Sequence, residues 1–311
     1  MKVIAEGAAS GKIILMGEHA VVYGEPAIAM PFAATKITAT MQEASQDQLT
    51  SNYYSGSLAE APANLLNLQN LIGKLRQDFD APPVDCRIVS TIPAERGMGS
   101  SAAVAVAVTR AFFAWQEIPA EQARVLNYVN GAEQIAHGNP SGIDAAATSG
   151  QQPVFFQKEQ PLEPFQLNLT GALIVADTGV KGKTRDTVQD VATLLRLQPE
   201  KTRAAIRKLG QLTRAARIAI SDNQPATLGE LMNQAQTLLQ QLSVSDASLD
   251  HLVQVARNNG ALGAKLTGGG RGGCMIALAK DRHAAEIIAN QLENAGAKAT
   301  WIQELGVCQY V

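Results

Sequence analysis

The sequence predicts an α+β fold in two domains, and three observations carry this prediction. Short β-like segments separated by small residues and glycines occupy the N-terminal part of the chain. Composition changes near residue 175, and the stretch from residue 184 to residue 242 has a helical pattern rich in Gln, Arg, Leu and Ala. Residues 263–303 follow the order strand, glycine loop, strand, helix, strand, which is typical of an antiparallel sheet with helices on one face. We expect an N-terminal domain over residues 1–175 and a C-terminal domain over residues 176–311.

Length and composition indicate a well-packed protein. The 311 residues are 46% hydrophobic and 17% charged, which is enough apolar surface for a large core and too little charge for a disordered chain. A formal net charge of −2 gives no overall attraction to nucleic acid or to an anionic membrane, so we expect neither as a partner. No apolar stretch reaches membrane-spanning length, no signal peptide is visible, and the three cysteines fit no disulfide or zinc pattern. We therefore expect a cytoplasmic protein.

Local patterns place the individual elements in order. In the N-terminal part, strands are predicted over residues 2–6, 12–16, 26–30, 36–42 and 84–92, with a small-residue turn over 7–11 and a polar hairpin over 44–54. Helices are predicted over residues 65–79, 102–115 and 121–137, the first amphipathic and the second apolar nearly all round. Beyond residue 150, strands over 154–156, 172–177, 263–266, 274–279 and 298–303 accompany helical segments over 184–242, 245–258 and 282–296.

A glycine-rich loop joins the strand that ends at residue 92 to the apolar helix. Gly97 and Gly99 let the backbone approach a ligand closely, and Ser100 or Ser101 is expected to cap the helix. The unpaired N–H groups and the dipole at a helix start favour an anion, and phosphate is the usual one. The same pattern also occurs in turns that bind nothing. Its spacing matches neither a P-loop nor a dinucleotide-binding fingerprint.

Charged residues in small-residue surroundings form the second group of candidates. Lys12, Glu18 and His19 lie between a strand and a glycine turn, where they form either a site or a solvated edge. Asp144 lies among small and apolar residues, where a carboxylate is costly to bury unless it is paired, and helix capping is its alternative role. Glu133, taken by itself, is interpreted as a solvent-facing charge near the end of a helix.

A second glycine loop, residues 267–273, holds more glycines than a hairpin needs. It is either a loose loop or a backbone packed against a ligand or against the first glycine loop. Taken together, the candidates are the parts that phosphoryl transfer from a nucleotide requires: backbone donors, a cation, oxygen ligands for Mg²⁺ and a base.

Three ordered motifs resemble the GHMP family of small-molecule kinases over nearly the whole chain. They are GKIILMGEHAVVYG at residues 11–24, GMGSSAA at 97–103 and LTGGGRGGC at 266–274, joined by HGNPSGID at 137–144. The resemblance implies an N-terminal α+β domain, a C-terminal ferredoxin-like α+β domain and an active-site cleft between them. It also implies ATP as co-substrate, Mg²⁺ as cofactor and a small-molecule substrate. Within the family, the segments at residues 11–24 and 137–144 are most similar to members that phosphorylate the primary hydroxyl of mevalonate.

The resemblance further implies a role for individual positions. Asp144 matches the general base that faces the substrate hydroxyl, and Lys12 matches the cation beside it. Ser101 and Glu133 match the Mg²⁺ ligands. Nucleotide contacts are implied for Asn52, Ser90, Gly97, Met98, Gly99, Ser100 and Ser101. Substrate contacts are implied for Glu18, His19 and Thr184.

Two places depart from the family pattern. Glu95 and Arg96 precede the first glycine loop, where relatives often carry Pro, Gly or Ala, and Glu95 would repel a triphosphate unless Arg96 offsets it. Arg271 interrupts the second glycine loop, either as a surface residue or as a cation near phosphate. Two other functions stay open: another kinase of the family, such as one acting on phosphomevalonate, and a non-catalytic nucleotide-binding relative. A homodimer also stays open.

Overall fold

A computed structural model describes residues 4–93, 96–138 and 141–306 of the chain. The strands of these residues are β1 (Ala5–Met16), β2 (Ala27–Glu43), β3 (Gln48–Thr50), β4 (Ser55–Ser57), β5 (Val84–Ser90), β6 (Val154–Phe156), β7 (Glu163–Pro164), β8 (Gly171–Asp177), β9 (Gly263–Thr267), β10 (Cys274–Ala279) and β11 (Ala299–Leu305). The α-helices are α1 (Leu66–Asp78), α2 (Ser100–Trp115), α3 (Gln122–His137), α4 (Ile143–Ser149), α5 (Thr184–Leu197), α6 (Pro199–Ser221), α7 (Pro225–Gln241), α8 (Ala247–Asn258) and α9 (Arg282–Asn294). Short 3-10 turns lie at Ala20–Tyr23, Leu58–Glu60 and Ala63–Leu65. This mixture of strands and helices confirms the predicted α+β class.

The chain folds into two compact units, each built from separate segments. The first unit comprises Met1–Lys12, Pro31–Pro93 and Gly99–Gln151, and the second comprises Ile13–Met30, Ala94–Met98 and Gln152–Val311. The boundary predicted near residue 175 falls inside β8, all of which belongs to the second unit. As a boundary between family domains, residue 175 stays a prediction.

The first unit packs four helices with strands of a β-sheet. Its strands follow the order β4-β3-β5-β2, and β1 also pairs with β2. Strand β3 is parallel to β5, whereas the β3–β4 and β2–β5 pairs are antiparallel. Helices α1 to α4 contact one another, and α2 is buried along most of its surface, including Phe112 and Phe113. The predicted amphipathic helix is confirmed as α1, whose buried face is Leu68, Leu71, Ile72 and Leu75.

Strand β1 corrects the prediction of a turn over residues 7–11. The structure has one continuous strand from Ala5 to Met16. A Cβ atom at Gly7 would lie 2.2 Å from the backbone nitrogen of Ala111, so the small residues let the strand backbone pack directly on α2. The two strands predicted over 26–30 and 36–42 are likewise a single strand, β2.

The second unit contains a four-stranded antiparallel sheet in the order β11-β8-β10-β9. Its central strand β10 pairs Cys274 with Asp177 of β8 on one side and with Thr267 of β9 on the other. Helix α8 contacts β9 and β10, and α9 contacts β8, β10 and β11. The antiparallel α+β layer predicted for this part of the chain is therefore confirmed. None of the helices in the described ranges combines the length and the apolar character that crossing a membrane requires.

Candidate active site

The first glycine loop leads into α2 through a glycine and without a side-chain cap. Gly97 and Gly99 have φ values of 77° and 70°, a backbone region that favours glycine. Gly99 is the N-cap residue and no side chain caps the helix, while Ser100 and Ser101 are its first two residues. The predicted serine cap is therefore wrong, because left-handed Gly99 makes the turn by itself. The first N–H groups of α2 thus point out of the helix without a capping side chain, as an anion site requires.

Lys12 and Asp144, which are 132 positions apart in the sequence, form an ion pair within the first unit. Lys12 Nζ lies 2.9 Å from Asp144 Oδ1. The Lys12 side chain is 6% exposed, whereas that of Asp144, in the first turn of α4, is 38% exposed. The carboxylate is therefore fixed by a buried cation and still open to a ligand. This pairing excludes simple helix capping as the whole role of Asp144.

Gly99 also sets the path of the Lys12 side chain. A Cβ atom at Gly99 would lie 2.7 Å from Lys12 Cγ and 3.2 Å from Thr148 Cγ2. The lysine stem therefore runs directly beneath the glycine loop and beside the helix that carries Asp144. Only glycine leaves room for this arrangement.

Ser101 and Glu133 meet on facing helices of the first unit. Ser101 Oγ donates a hydrogen bond of 2.6 Å to Glu133 Oε1, and Glu133 is 3% exposed. The interpretation of Glu133 as a solvent-facing charge is therefore wrong. Among the residues that the structure describes, no three His, Cys, Asp or Glu side chains group as metal ligands. A hydroxyl and one carboxylate nevertheless suit Mg²⁺, which accepts one or two protein oxygens and keeps several waters.

Sequence reasoning missed Arg110, which connects the elements that carry the Lys12–Asp144 pair. Its guanidinium donates to the carbonyl oxygen of Ala8 on β1 at 2.6 Å and to that of Ser149 at the end of α4 at 2.8 Å. Burial lowers the pKa of Arg110. The available signal was an arginine inside a helix that is otherwise apolar nearly all round.

In the second unit, the second glycine loop packs against residues from the other two motifs. A Cβ atom at Gly97 would lie 3.6 Å from the Cα atom of Gly268, so the two glycine loops touch. Thr267 Oγ1 donates to the carbonyl oxygen of Ile14 at 2.8 Å and accepts from its N–H at 3.1 Å. Packing against the first glycine loop, one of the predicted alternatives, is confirmed.

Two of the three predicted substrate residues gather at Gly269 of this loop. His19 Nε2 lies 2.9 Å from the Gly269 carbonyl oxygen. A Cβ atom at Gly269 would lie 2.1 Å from Thr184 Oγ1, so Thr184 packs directly on the loop. His19 has a φ of 59°, which is uncommon for a residue with a side chain and is found mostly where other contacts enforce it. Burial lowers the pKa of His19. The third residue, Glu18, is instead paired with Lys265.

Both arginines that depart from the family pattern are engaged by protein groups. Arg96 donates to Asp177 Oδ1 at 2.8 Å and to the carbonyl oxygen of Gly179 at 3.1 Å, while Glu95 lies outside the described residues. Arg271 pairs with Asp190 Oδ2 at 2.5 Å and donates to the carbonyl oxygen of Ser243 at 2.9 Å. Arg96 therefore anchors its loop to the end of β8.

The remaining predicted positions lie at element ends. Ser90 Oγ, at the end of β5, donates to the carbonyl oxygen of Ile92 and accepts from its N–H, both at 3.1 Å. Asn52 is exposed in the turn between β3 and β4, and Met98 is buried. Nucleotide contacts by these residues stay predictions. Asn139 and Pro140 of the fourth motif segment lie outside the described residues.

Comparison with known proteins defines the class to which this geometry belongs. Residues 66–151 match the model for the GHMP kinases N terminal domain, and residues 201–298 match the model for the GHMP kinases C terminal. The chain belongs to the GHMP kinase family.

Three similar members of the family are mevalonate kinases. A mevalonate kinase of Aeropyrum pernix is 35% identical over 295 residues, which cover 90% of each chain. The crystal structure of mevalonate kinase from methicillin-resistant Staphylococcus aureus is 36% identical, with a TM-score of 0.76 and coverage of 98% of this chain and 99% of that one. A mevalonate kinase of L. major, solved in complex with R-mevalonate, is 25% identical with a TM-score of 0.85 and covers 99% and 98%.

Proposed function

We propose that the chain transfers the γ-phosphoryl group of ATP to the primary hydroxyl of mevalonate, giving 5-phosphomevalonate and ADP. The observation that carries this proposal is the 2.9 Å contact between Lys12 Nζ and Asp144 Oδ1, which joins a buried cation to an accessible carboxylate. Relatives at 35% and 36% identity over nine-tenths or more of the chain, both named mevalonate kinases, support the choice of substrate.

Asp144 acts as the general base in this proposal. Its carboxylate accepts the proton of the primary hydroxyl while the hydroxyl oxygen forms a bond to the γ-phosphorus. The bond between that phosphorus and the oxygen bridging to the β-phosphate breaks, and ADP leaves. Because only part of the Asp144 side chain is covered, a hydroxyl can reach it.

Lys12 supplies fixed positive charge at the same place. Its ammonium stabilises the Asp144 carboxylate and the charge on the transferring phosphoryl group. Burial of the lysine and the close approach of Gly99 hold the ammonium in one position, so little reorganisation is needed during the reaction.

The start of α2 supplies the nucleotide contacts. The uncapped first turn presents N–H donors and the positive end of the helix dipole to the ATP phosphates. Met98 is buried and anchors the loop between its two glycines, while Ser100 lies on the partly exposed side.

Ser101 and Glu133 are the residues that would hold Mg²⁺. When bound, the ion neutralises the charge of the ATP phosphates. Glu133 is buried next to the Ser101 hydroxyl, so both oxygens are already in place. His19 and Thr184 bind mevalonate beside the second glycine loop.

An ADP-release assay with coupled detection tests the proposed function. The purified chain is given ATP, Mg²⁺ and one acceptor at a time: mevalonate, phosphomevalonate, galactose or homoserine. We expect mevalonate to give the highest kcat/KM by at least about two orders of magnitude. A higher value for phosphomevalonate would assign another activity of the family, and no ADP release with any acceptor would favour the non-catalytic alternative.

A further inference from the structure

A second ammonium–carboxylate pair, between Lys265 on β9 and Glu18, is closed off from solvent. The two side chains are 0% and 1% exposed. Lys265 Nζ donates to Glu18 Oε1 and also, at 2.8 Å, to the carbonyl oxygen of Leu266. The substrate contact that the family resemblance implied for Glu18 stays a prediction, and in this structure its carboxylate is paired with Lys265.

Such a pair is not explained by stability alone. Removing two charges from water is costly, and an apolar pair of similar volume is often equally or more stabilising. Burial lowers the pKa of Lys265, and the adjacent Glu18 carboxylate opposes that effect. In some proteins, a buried ion pair that persists despite this cost fixes one conformation of the chain around it.

Here the conformation that is fixed is that of the segment from the end of β1 to His19. Lys265 and Thr267 are alternate residues of β9, and alternate residues of a strand lie on one side, while Gly269 lies in the second glycine loop directly after the strand. Lys265 holds Glu18, Thr267 holds the backbone of Ile14, and Gly269 holds the ring of His19. Strand β9 and the glycine loop that follows it thus fix three points of the first motif.

His19 is the residue of this segment that faces a ligand in the proposed function. Its backbone has a φ of 59°, directly after Glu18, whose carbonyl oxygen accepts from the Ala20 N–H at 2.6 Å. Because a carbonyl oxygen only accepts, the contact with Gly269 places the proton on Nε2 and leaves Nδ1 as an acceptor. A substrate hydroxyl can donate to that nitrogen only while the Glu18–His19 turn keeps this geometry.

We propose that Lys265 is a positioning residue that fixes Glu18, cancels its charge and so holds His19 ready for an anionic, hydroxyl-bearing substrate. The inference rests on the proposed function, because mevalonate carries a carboxylate and is taken to meet His19. Without Lys265, the Glu18 charge would repel that carboxylate and would pull the turn away from the second glycine loop.

Steady-state kinetics of Lys265→Met, Glu18→Gln and the double variant test the proposal. We expect Lys265→Met to raise the KM for mevalonate about tenfold or more, with the KM for ATP changed by less than about twofold. The double variant removes both charges and should recover a mevalonate KM within about threefold of wild type. If Lys265→Met does not fold, the mevalonate KM of the double variant tests the proposal by itself. A folded Lys265→Met with an unchanged mevalonate KM, or a double variant as impaired as Lys265→Met, would overturn the proposal.

A spectrum of the free protein separates this proposal from the proposed function. Nitrogen-15 signals of the imidazoles report the tautomer of each of the four histidines, and His19→Gln assigns the His19 signal. We expect a protonated Nε2 at His19 in the wild type and a changed signal in Lys265→Met, while His251 and His283 keep theirs. An unchanged His19 signal would refute the positioning role even if mevalonate is the substrate. A changed signal would support it even if the chain phosphorylates another alcohol.

Discussion

The two units each contain a lysine–carboxylate pair, and the pairs differ in exposure rather than in chemistry. In the first unit, Asp144 is 38% exposed while its partner Lys12 is buried. In the second unit, Glu18 and Lys265 are both closed off, at 1% and 0%. In the proposed function, the partly exposed Asp144 carboxylate exchanges a proton with the substrate, whereas the covered Glu18–Lys265 pair holds the segment around it in place. We therefore propose chemistry for the first pair and positioning for the second.

The largest effect is expected at the exposed carboxylate. Asp144→Asn keeps the size of the side chain and removes the base, so kcat should fall by about 10²–10⁴-fold. The affinity for ATP, measured by calorimetry, should change little because the α2 start is untouched. Glu286→Gln, which removes an exposed carboxylate paired with Arg282, is the matched control and should retain full turnover. Near-normal turnover of Asp144→Asn would exclude Asp144 as the general base.

The next effect concerns the packing that holds the first pair. Gly99→Ala places a Cβ atom 2.7 Å from Lys12 Cγ at a residue with a φ of 70°, so the lysine must shift. A displacement of a catalytic group by about 1 Å can lower the rate by about 10²-fold. We therefore expect kcat, measured at saturating substrate concentrations, to fall by roughly 10–100-fold.

Gly131→Ala is the control for this substitution. Gly131 lies within α3 with open space around its Cβ position, so alanine should leave kcat unchanged and raise the free energy of unfolding by about 0.5–1 kcal/mol. Equal kinetics for the two alanine variants would show that the position of Lys12 does not matter.

A smaller effect is expected at Glu133, which the first unit buries against Ser101. Glu133→Ala removes one of the two proposed oxygen ligands, and the Mg²⁺ concentration for half-maximal rate should rise about tenfold or more. The titration is done at constant free ATP, with Glu286→Gln again as control. An unchanged Mg²⁺ requirement would exclude Glu133 as a ligand.

The smallest effect is a pH dependence from the second unit. Burial lowers the pKa of folded His19 below its ordinary value of 6.5. Below about pH 6.5 the unfolded chain therefore binds a proton that the folded chain does not, so stability falls as the pH falls. The contribution of His19 to the free energy of unfolding is fully present above about pH 6.5. It is lost as the pH falls toward the folded pKa, and the free energy of unfolding then declines by up to about 1.4 kcal/mol per pH unit.

Urea unfolding between pH 7 and pH 5 measures this contribution. His19→Gln should flatten the decline, whereas His283→Gln, at an exposed helical position, should leave it as in the wild type. Parallel curves for the wild type and His19→Gln would show that His19 is not held neutral.

Much of the fold followed from local pattern, because buried faces repeat with the period of the element. The face of α1 and the burial of α2 were predicted correctly from apolar spacing alone. The continuity of β1 was not, because small residues that pack against a helix have the composition of a turn. The serine cap failed for a similar reason, since left-handed Gly99 already occupied that position.

The site could be predicted from sequence periodicity less well than the fold. No periodicity connects Lys12 with Asp144, and the family motifs were needed to place them together. Glu133 shows the limit most clearly, since its sequence surroundings are those of a surface helix and its side chain is buried. Lys265 was missed although it is a charge inside an otherwise apolar strand, which is a usable signal for a buried pair.

A crystal structure with mevalonate and a non-hydrolysable ATP analogue tests the central claim most directly. We expect the primary hydroxyl oxygen to lie within about 3.2 Å of an Asp144 carboxylate oxygen, with Lys12 Nζ still paired with that carboxylate and Glu18 still paired with Lys265. A hydroxyl that contacts Glu18 instead, or that lies beyond the reach of Asp144, would contradict it.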